Sequence, residues 1–356
     1  MKQRKLKTCA RGQLLYASAK EQLFYEKNSF YLQRGDHRQR LCQVPRAGKY
    51  ALLSRLPLAA RMLRLEPRCA TVAEDGSYLV SVHGSIYRLT ENGICREHSY
   101  RKSMHNPLAF ARIQGVEGFA DGVAYGEYFG NSGKEPVHLW QRQAGQWQRV
   151  YTFPAGSVCH IHGIVPAPEQ GCVYVLTGDT DAESAIWEFR DGFQSCKKRI
   201  GGSQRCRSCV AFPWGQALIY ATDTPLEDNG IYCLDPATGE SRKLADLPGP
   251  VIYGTYKGGK MIFATSVEPD SRLKGCRYML TYRRGAGVKT SCSHIIGGNP
   301  DKGFQLLASG RKDILPMGLF QFGNFLFPPV EGPVLLAVGQ SLVNYHGKTV
   351  EIDYGE

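Results

Sequence analysis

Ile186-Trp-Glu-Phe-Arg-Asp-Gly192 runs from an apolar and aromatic strand into a tight turn of Asp and Gly. The same element recurs as Ile86-Tyr-Arg-Leu-Thr-Glu-Asn-Gly93, Leu139-Trp-Gln-Arg-Gln-Ala-Gly145 and Ile231-Tyr-Cys-Leu-Asp-Pro-Ala-Thr-Gly239, with weaker copies ending at Gly35, Gly287 and Gly347. The seven turn glycines are spaced by 58, 52, 47, 47, 48 and 60 residues, a period near fifty. Self-similarity at such a period marks a repeat architecture. Each copy also carries short alternating runs of β-formers, such as Cys172-Val-Tyr-Val-Leu-Thr177 and Ala217-Leu-Ile-Tyr-Ala-Thr222. Four strands per repeat describe a propeller blade. The sequence therefore predicts an all-β chain, a single β-propeller over residues 1–356 with seven four-stranded blades. Six is the alternative, because the first and last copies are irregular.

Composition narrows the classes further. With 42% hydrophobic and 21% charged residues, the chain is neither disordered, collagenous nor coiled coil. No run approaches the roughly 18 apolar residues of a membrane span; Gly318–Val338 is broken by Asn324, Pro328, Pro329, Glu331 and Pro333. Thr8–Lys20 is too polar for the apolar core of a signal peptide, so a cytoplasmic location is expected. The 12 cysteines lie mostly inside apolar stretches, as reduced thiols do, and Cys206-Arg-Ser-Cys209, a lone pair of its kind, reads as two ordinary strand cysteines. Residues 50–64 have Leu, Ala and Met at helical spacing with Arg55, Arg61 and Arg64 between them. They predict a short helical insertion on the propeller rim, interrupted by Pro57; a basic amphipathic segment also suits a membrane surface or a partner. The net charge of +12 favours anionic partners.

In a four-stranded blade, the start of the innermost strand and the link between the second and third strands lie on one face of the ring. The predicted strand starts carry Arg112, His160, His162, Arg205, Arg207 and Tyr253, and the links carry Glu127, Asp179, Asp181, Asp223 and Glu268. Two independent sets of charged residues thus fall around one funnel mouth. Such a gathering is costly unless the charges pair or bind something.

The spacing His160-Ile-His162 on a strand points both imidazoles to one face. With Asp179 and Asp223 they offer ligands for a divalent metal, against the alternative of histidines hydrogen-bonded to carboxylates. No other cofactor is expected. Glu127, His160, His162, Asp179 and Asp223 are the catalytic candidates, because paired carboxylates hydrolyse glycosidic bonds. A histidine beside a uronic acid held by Arg207 would instead support elimination. Arg112, Tyr128, Asp181, Arg207, Tyr253 and Glu268 are the ligand-binding candidates, and aromatic faces suit sugar rings.

The turns Arg190-Asp-Gly-Phe193 and Gln143-Ala-Gly-Gln-Trp147 resemble, in degraded form, the Asp-box hairpin of BNR-repeat and sialidase-like propellers. Sialidases bind a carboxylate with three arginines, for which Arg112, Arg207 and Arg277 are the counterparts, but their N-terminal Arg-Ile-Pro signature is missing. The chain looks more like bacterial glycosyl hydrolase-like propellers that share Tyr125-Gly-Glu-Tyr128, His160-Ile-His-Gly163, Gly178-Asp-Thr-Asp181 and Thr222-Asp-Thr-Pro225. That resemblance implies a role in surface polysaccharide production. The expected function is a carbohydrate-active protein that binds, and cleaves or modifies, an acidic glycan or glycoconjugate in the funnel. The alternative is a non-catalytic platform for a protein partner or acidic ligand. Nucleic-acid binding is prompted only by Lys2, Arg4, Lys5, Lys7 and Arg11, with neither interleaved aromatics nor a phosphate loop to support it.

Overall fold

The structure, a computed structural model, describes residues 6–46 and 48–355; Lys2, Arg4 and Lys5 lie outside them. Among the described residues, 28 strands form seven antiparallel sheets of four. The seven blades occupy 13–43, 69–99, 111–153, 160–201, 208–247, 251–311, and 324–351 with 7–11. Seven blades, not six, close the ring. The irregularity of the end copies has a structural cause: Lys7–Arg11 is the outermost strand of the seventh blade and pairs with Lys348–Glu351. One blade is thus assembled from both ends of the chain.

The repeated apolar–aromatic dipeptide also has a structural role. In six blades the pairing of the third and fourth strands slips by a β-bulge, at Phe30/Tyr31, Ile86/Tyr87, Leu139/Trp140, Ile186/Trp187, Ile231/Tyr232 and Ile295/Ile296. A bulge adds local twist, so each outer strand turns away while Ile86, Leu139, Ile186 and Ile231 remain fully buried between blades. Five of the seven turn glycines lie in the hairpin that follows. Gly287 and Gly347 do not: both sit in links between second and third strands, and the sixth blade turns instead at 300–302. The seventh has no such hairpin because its fourth strand comes from the N-terminus.

Four short helices cover the funnel face: α1 (Lys49–Leu53), α2 (Pro57–Met62), α3 (Gly275–Leu280) and α4 (Met317–Phe320). Pro57 starts α2 at its first turn, where its missing N–H is harmless, rather than breaking a longer helix. Arg61 fastens this cap to the ring. Its Nη2 donates to the Phe320 carbonyl and Ser341 Oγ, each at 2.8 Å, and pairs with Asp313 at 2.8 Å.

Candidate functional site

The innermost strands of blades four and five enter the channel through bulges of their own. Register slips between Ile161 and Gly163 and between Ser208 and Val210, leaving His162 and Cys209 as the extra residues. The sixth blade repeats the slip between Val251 and Tyr253. Simple strand alternation therefore does not hold at His160-Ile-His162, yet the two rings meet. Two glycines make room for them: a Cβ on Gly178 would come within 2.4 Å of the His162 ring, and one on Gly163 within 2.7 Å of the Cys209 carbonyl.

The hydrogen bonds fix both tautomers. His160 Nδ1 lies 3.1 Å from the Phe129 carbonyl and His162 Nδ1 lies 3.2 Å from the Ser208 carbonyl. A carbonyl only accepts, so each Nδ1 carries a proton and each Nε2 presents a lone pair when neutral. Those two Nε2 atoms are 3.0 Å apart, and Asp179 approaches them at 3.2 and 3.3 Å. Two lone pairs and a carboxylate cannot converge without a positive charge between them. A proton supplies it in the protein alone. Burial would lower the pKa of His160, but the Asp179 hydrogen bond and charge, with Cys159, hold it up to about 9. Burial and the charge on His160 keep His162 low, despite Asp179.

The same three side chains fit a divalent cation. An ion about 2.1 Å from two ligands at adjacent octahedral corners separates them by about 3.0 Å, and two imidazoles with one carboxylate form one face of such a site. The backbone carbonyls on Nδ1 and Arg207 on Asp179 supply the outer orientation that metal ligands require. Cys159 stands beside His160 and Asp179, and Cys209 beside His162 and Asp223, each trio with its donor atoms within 4.8 Å.

Arg207 joins the blades. Its Nη2 reaches Asp179 at 3.0 Å and Asp223 at 3.5 Å, and Cys209 Sγ donates to Asp223 at 3.2 Å. Glu268 completes the cluster, accepting from Ser266 Oγ. Burial and the nearby Asp223 charge push its pKa up to about 8, so it is a protonated acid at neutral pH. Asp179 is held well below the usual range: burial would raise it, but Arg207, His160 and His162 prevail. The Tyr128 ring lies 4.2 Å from that of His160. Tyr253 carries the Arg68 guanidinium over its ring at 5.2 Å, and burial pushes its phenol up to about 12. A cavity of about 220 Å³ reaches from His162, Cys209 and Tyr253 to Arg68, Phe110 and Phe327.

The structure thus brings together His160, His162, Asp179, Arg207, Asp223 and Glu268, with Tyr128 and Tyr253 as walls. Four candidates stand apart. The Glu127 carboxylate accepts from the His138 N–H at 3.0 Å and the Trp140 indole at 3.3 Å and pairs with Arg101 at 3.4 Å, which makes it a brace of the third blade. Arg112 is exposed, with no polar partner among the described residues. Asp181 is exposed and accepts from Gln204 at 3.0 Å. Arg277 lies in α3, on the outside of the cap. Sequence reasoning missed Cys209, Cys159 and Arg68; a cysteine within one residue of a strand start was the available signal for the first two.

No family model matches the chain, and no curated protein matches it in sequence. The Asp-box and sialidase-like resemblance therefore rests on the quoted motifs alone. Solved structures match the fold. The oligogalacturonate lyase of Vibrio parahaemolyticus is 12% identical, covering 99% of this chain and 92% of its own, at a TM-score of 0.54. The WD40 β-propeller domain of Doa1 is 10% identical, covering 99% and 98%, also at 0.54. An oligogalacturonate lyase in complex with manganese is 11% identical, covering 98% and 96%, at 0.51. These likenesses establish a β-propeller.

Proposed function

We propose that the funnel binds an acidic glycan and performs acid–base chemistry on it. One observation carries this reading: within the cluster, Arg207 Nε, Asp223 Oδ1 and Tyr253 Oη are buried without a hydrogen-bond partner. Buried polar groups are ordinarily paired, and sugar hydroxyls both donate and accept. Arg68 at the cavity wall and Arg207 in the adjoining cluster supply the charge for a carboxylate. Solved propellers of this shape include oligogalacturonate lyases, which supports an acidic sugar.

The groups divide by their environments, as an acid–base pair must. His162, kept neutral, is the base; Glu268, kept protonated, is the acid. On a uronate chain, the imidazole takes the C5 proton, the C–H electron pair forms the C4–C5 double bond, and the C4–O bond breaks. The departing oxygen takes the Glu268 proton, and solvent exchange restores both groups. A divalent cation held by His160, His162 and Asp179 would occupy the His162 Nε2 lone pair, so it would compete with this step.

The test is the melting temperature against uronic acid oligosaccharides, their neutral counterparts and Mn²⁺, with His162→Ala and Arg207→Met alongside. A ligand at a hundred times its dissociation constant adds about 2.7 kcal/mol. At about 2.1 cal/mol/K of unfolding entropy per residue, that is about 3–4 °C for this chain. Acidic oligosaccharides should give that shift in the wild type only. An ultraviolet-absorbing unsaturated end identifies elimination, and new reducing ends without absorbance identify hydrolysis. No shift with any glycan would overturn the proposal in favour of a protein platform, the reading that the WD40 likeness supports.

A further inference from the structure

The helical cap carries chemistry that the funnel does not use. Three segments build it: 44–68 between the first two blades, 270–291 within the sixth, and 312–323 between the sixth and seventh. Together they are about a sixth of the chain, yet they hold 13 Lys and Arg against three Asp and Glu. That excess of ten accounts for most of the net charge of +12. Lys49, Arg55, Lys274, Arg277 and Arg284 are exposed and without an ion pair among the described residues.

The same segments collect the exposed apolar side chains. Of the 14 large hydrophobic residues that are exposed among the described residues, nine lie here. Leu52 is 64% exposed, Leu58 57%, Leu280 57%, Tyr282 64% and Ile314 85%. The segments that carry them pack together. A Cβ on Gly318 of α4 would meet α3 at 2.5 Å, and Arg61 of α2 is bonded to the last residue of α4. Beside the cap, a cavity of about 750 Å³ is walled by Tyr282, Ile314 and Val343 together with Arg284 and Arg311.

We propose that this cap is a peripheral docking surface for an anionic lipid bilayer. Leucine, methionine and tyrosine tips enter the headgroup boundary while surrounding Lys and Arg meet lipid phosphates, the division of labour of interfacial helices. A short, interrupted helix pair suits this role because each tip needs to descend only into the interface. The positive excess selects an anionic membrane over a neutral one, and no helix among the described residues is long and apolar enough to cross it. The inference is independent of what the funnel binds.

Vesicle flotation of the full chain tests it, using phosphatidylcholine alone and phosphatidylcholine with a third phosphatidylglycerol. The wild type should float only with the anionic vesicles, and less at high salt, where screening shortens the reach of the charges. Each basic residue near such a surface is worth roughly fivefold in affinity, so Lys274→Glu with Arg277→Glu should weaken binding at least about 25-fold. Leu52→Asp with Leu58→Asp should abolish it. Leu306→Asp, on an outer strand of the sixth blade, should bind as wild type. The positions are exposed, and unchanged melting temperatures confirm that the variants fold. Flotation unaffected by the cap changes, or no flotation, overturns the proposal. So does concentration-dependent dimerisation that the same variants abolish, which would assign the cap to a second copy of the chain.

Discussion

Asp179→Asn removes one charge and almost no volume, and it tests the electrostatic core of the site. In the native chain His160 titrates at about 9 against an ordinary 6.5. That gap corresponds to about 3 kcal/mol of preference for the protonated ring. A group with a raised folded pKa contributes stability that is fully present below the unfolded value and is lost as pH rises through the folded one. The contribution should therefore be complete near pH 6 and gone above about pH 9. Without the carboxylate, only Cys159 opposes the effect of burial on His160, and its pKa should fall from about 9. Of its two carboxylates Arg207 would keep only Asp223, at 3.5 Å, besides its hydrogen bond to the backbone carbonyl of residue 179 at 3.3 Å. Removing one partner of a buried pair costs about 3–5 kcal/mol, but the Asp179 side chain is 40% exposed, so solvent reduces this to about 1–2 kcal/mol. The two effects sum to about 4–5 kcal/mol at pH 6, about 5–7 °C at the unfolding entropy expected of 356 residues. Above pH 9 only the smaller part should remain. Thermal melts from pH 5 to 10, with imidazole ¹⁵N spectra over the same range, measure both quantities. A melting difference that stays constant with pH, or a His160 proton retained near pH 9 in the variant, would refute the shared-charge account.

Glu268→Gln mimics the protonated acid. The wild type should lose stability as pH rises from about 4.5 to about 8, because the folded state holds this proton more tightly; the variant should lack that decline while any turnover drops by roughly 10²–10⁴. Gly178→Ala adds one methyl group against the anchored His162 ring. It should cost about 1–3 kcal/mol by overpacking and abolish Mn²⁺-dependent stabilisation without deleting a ligand, as melts with and without the ion would show. Deleting residues 1–11 strips the outer strand from the seventh blade. The exposed edge should promote self-association, visible by light scattering, and a monomer of unchanged melting temperature would contradict the closure.

Much of the fold and part of the site are legible in the sequence. Five of the seven Gly-bearing turns marked blades because each hairpin is a local structure, set by a few residues whose backbone preferences are readable; Gly287 and Gly347 kept the period from links instead. The convergence of His160, Asp179, Arg207, Asp223 and Glu268 followed from topology alone, since ring closure forces strand starts and second links onto one face. Glu127 met the same positional test and failed it sterically: its carboxylate turns outward to the Trp140 indole and Arg101. Position on a face does not determine side-chain direction where a tryptophan and an arginine compete for the acid.

The bulges were not legible, and they make the site. Strand alternation would send His162 and Cys209 wherever the pleat dictates, but one extra residue in each innermost strand re-aims them at the channel axis. That displacement lets His162 face His160 across 3.0 Å and sets Cys209 on Asp223. A regular strand would pair every backbone group and leave the funnel lined by alternate side chains from separate blades, each solvated alone. The slipped strands instead press their polar residues into contact across blade boundaries. There they shift one another's protonation: Asp179 raises His160, and Asp223 raises Glu268. The chemistry of the funnel thus arises from a backbone irregularity repeated by the architecture, with different side chains placed on it in each blade.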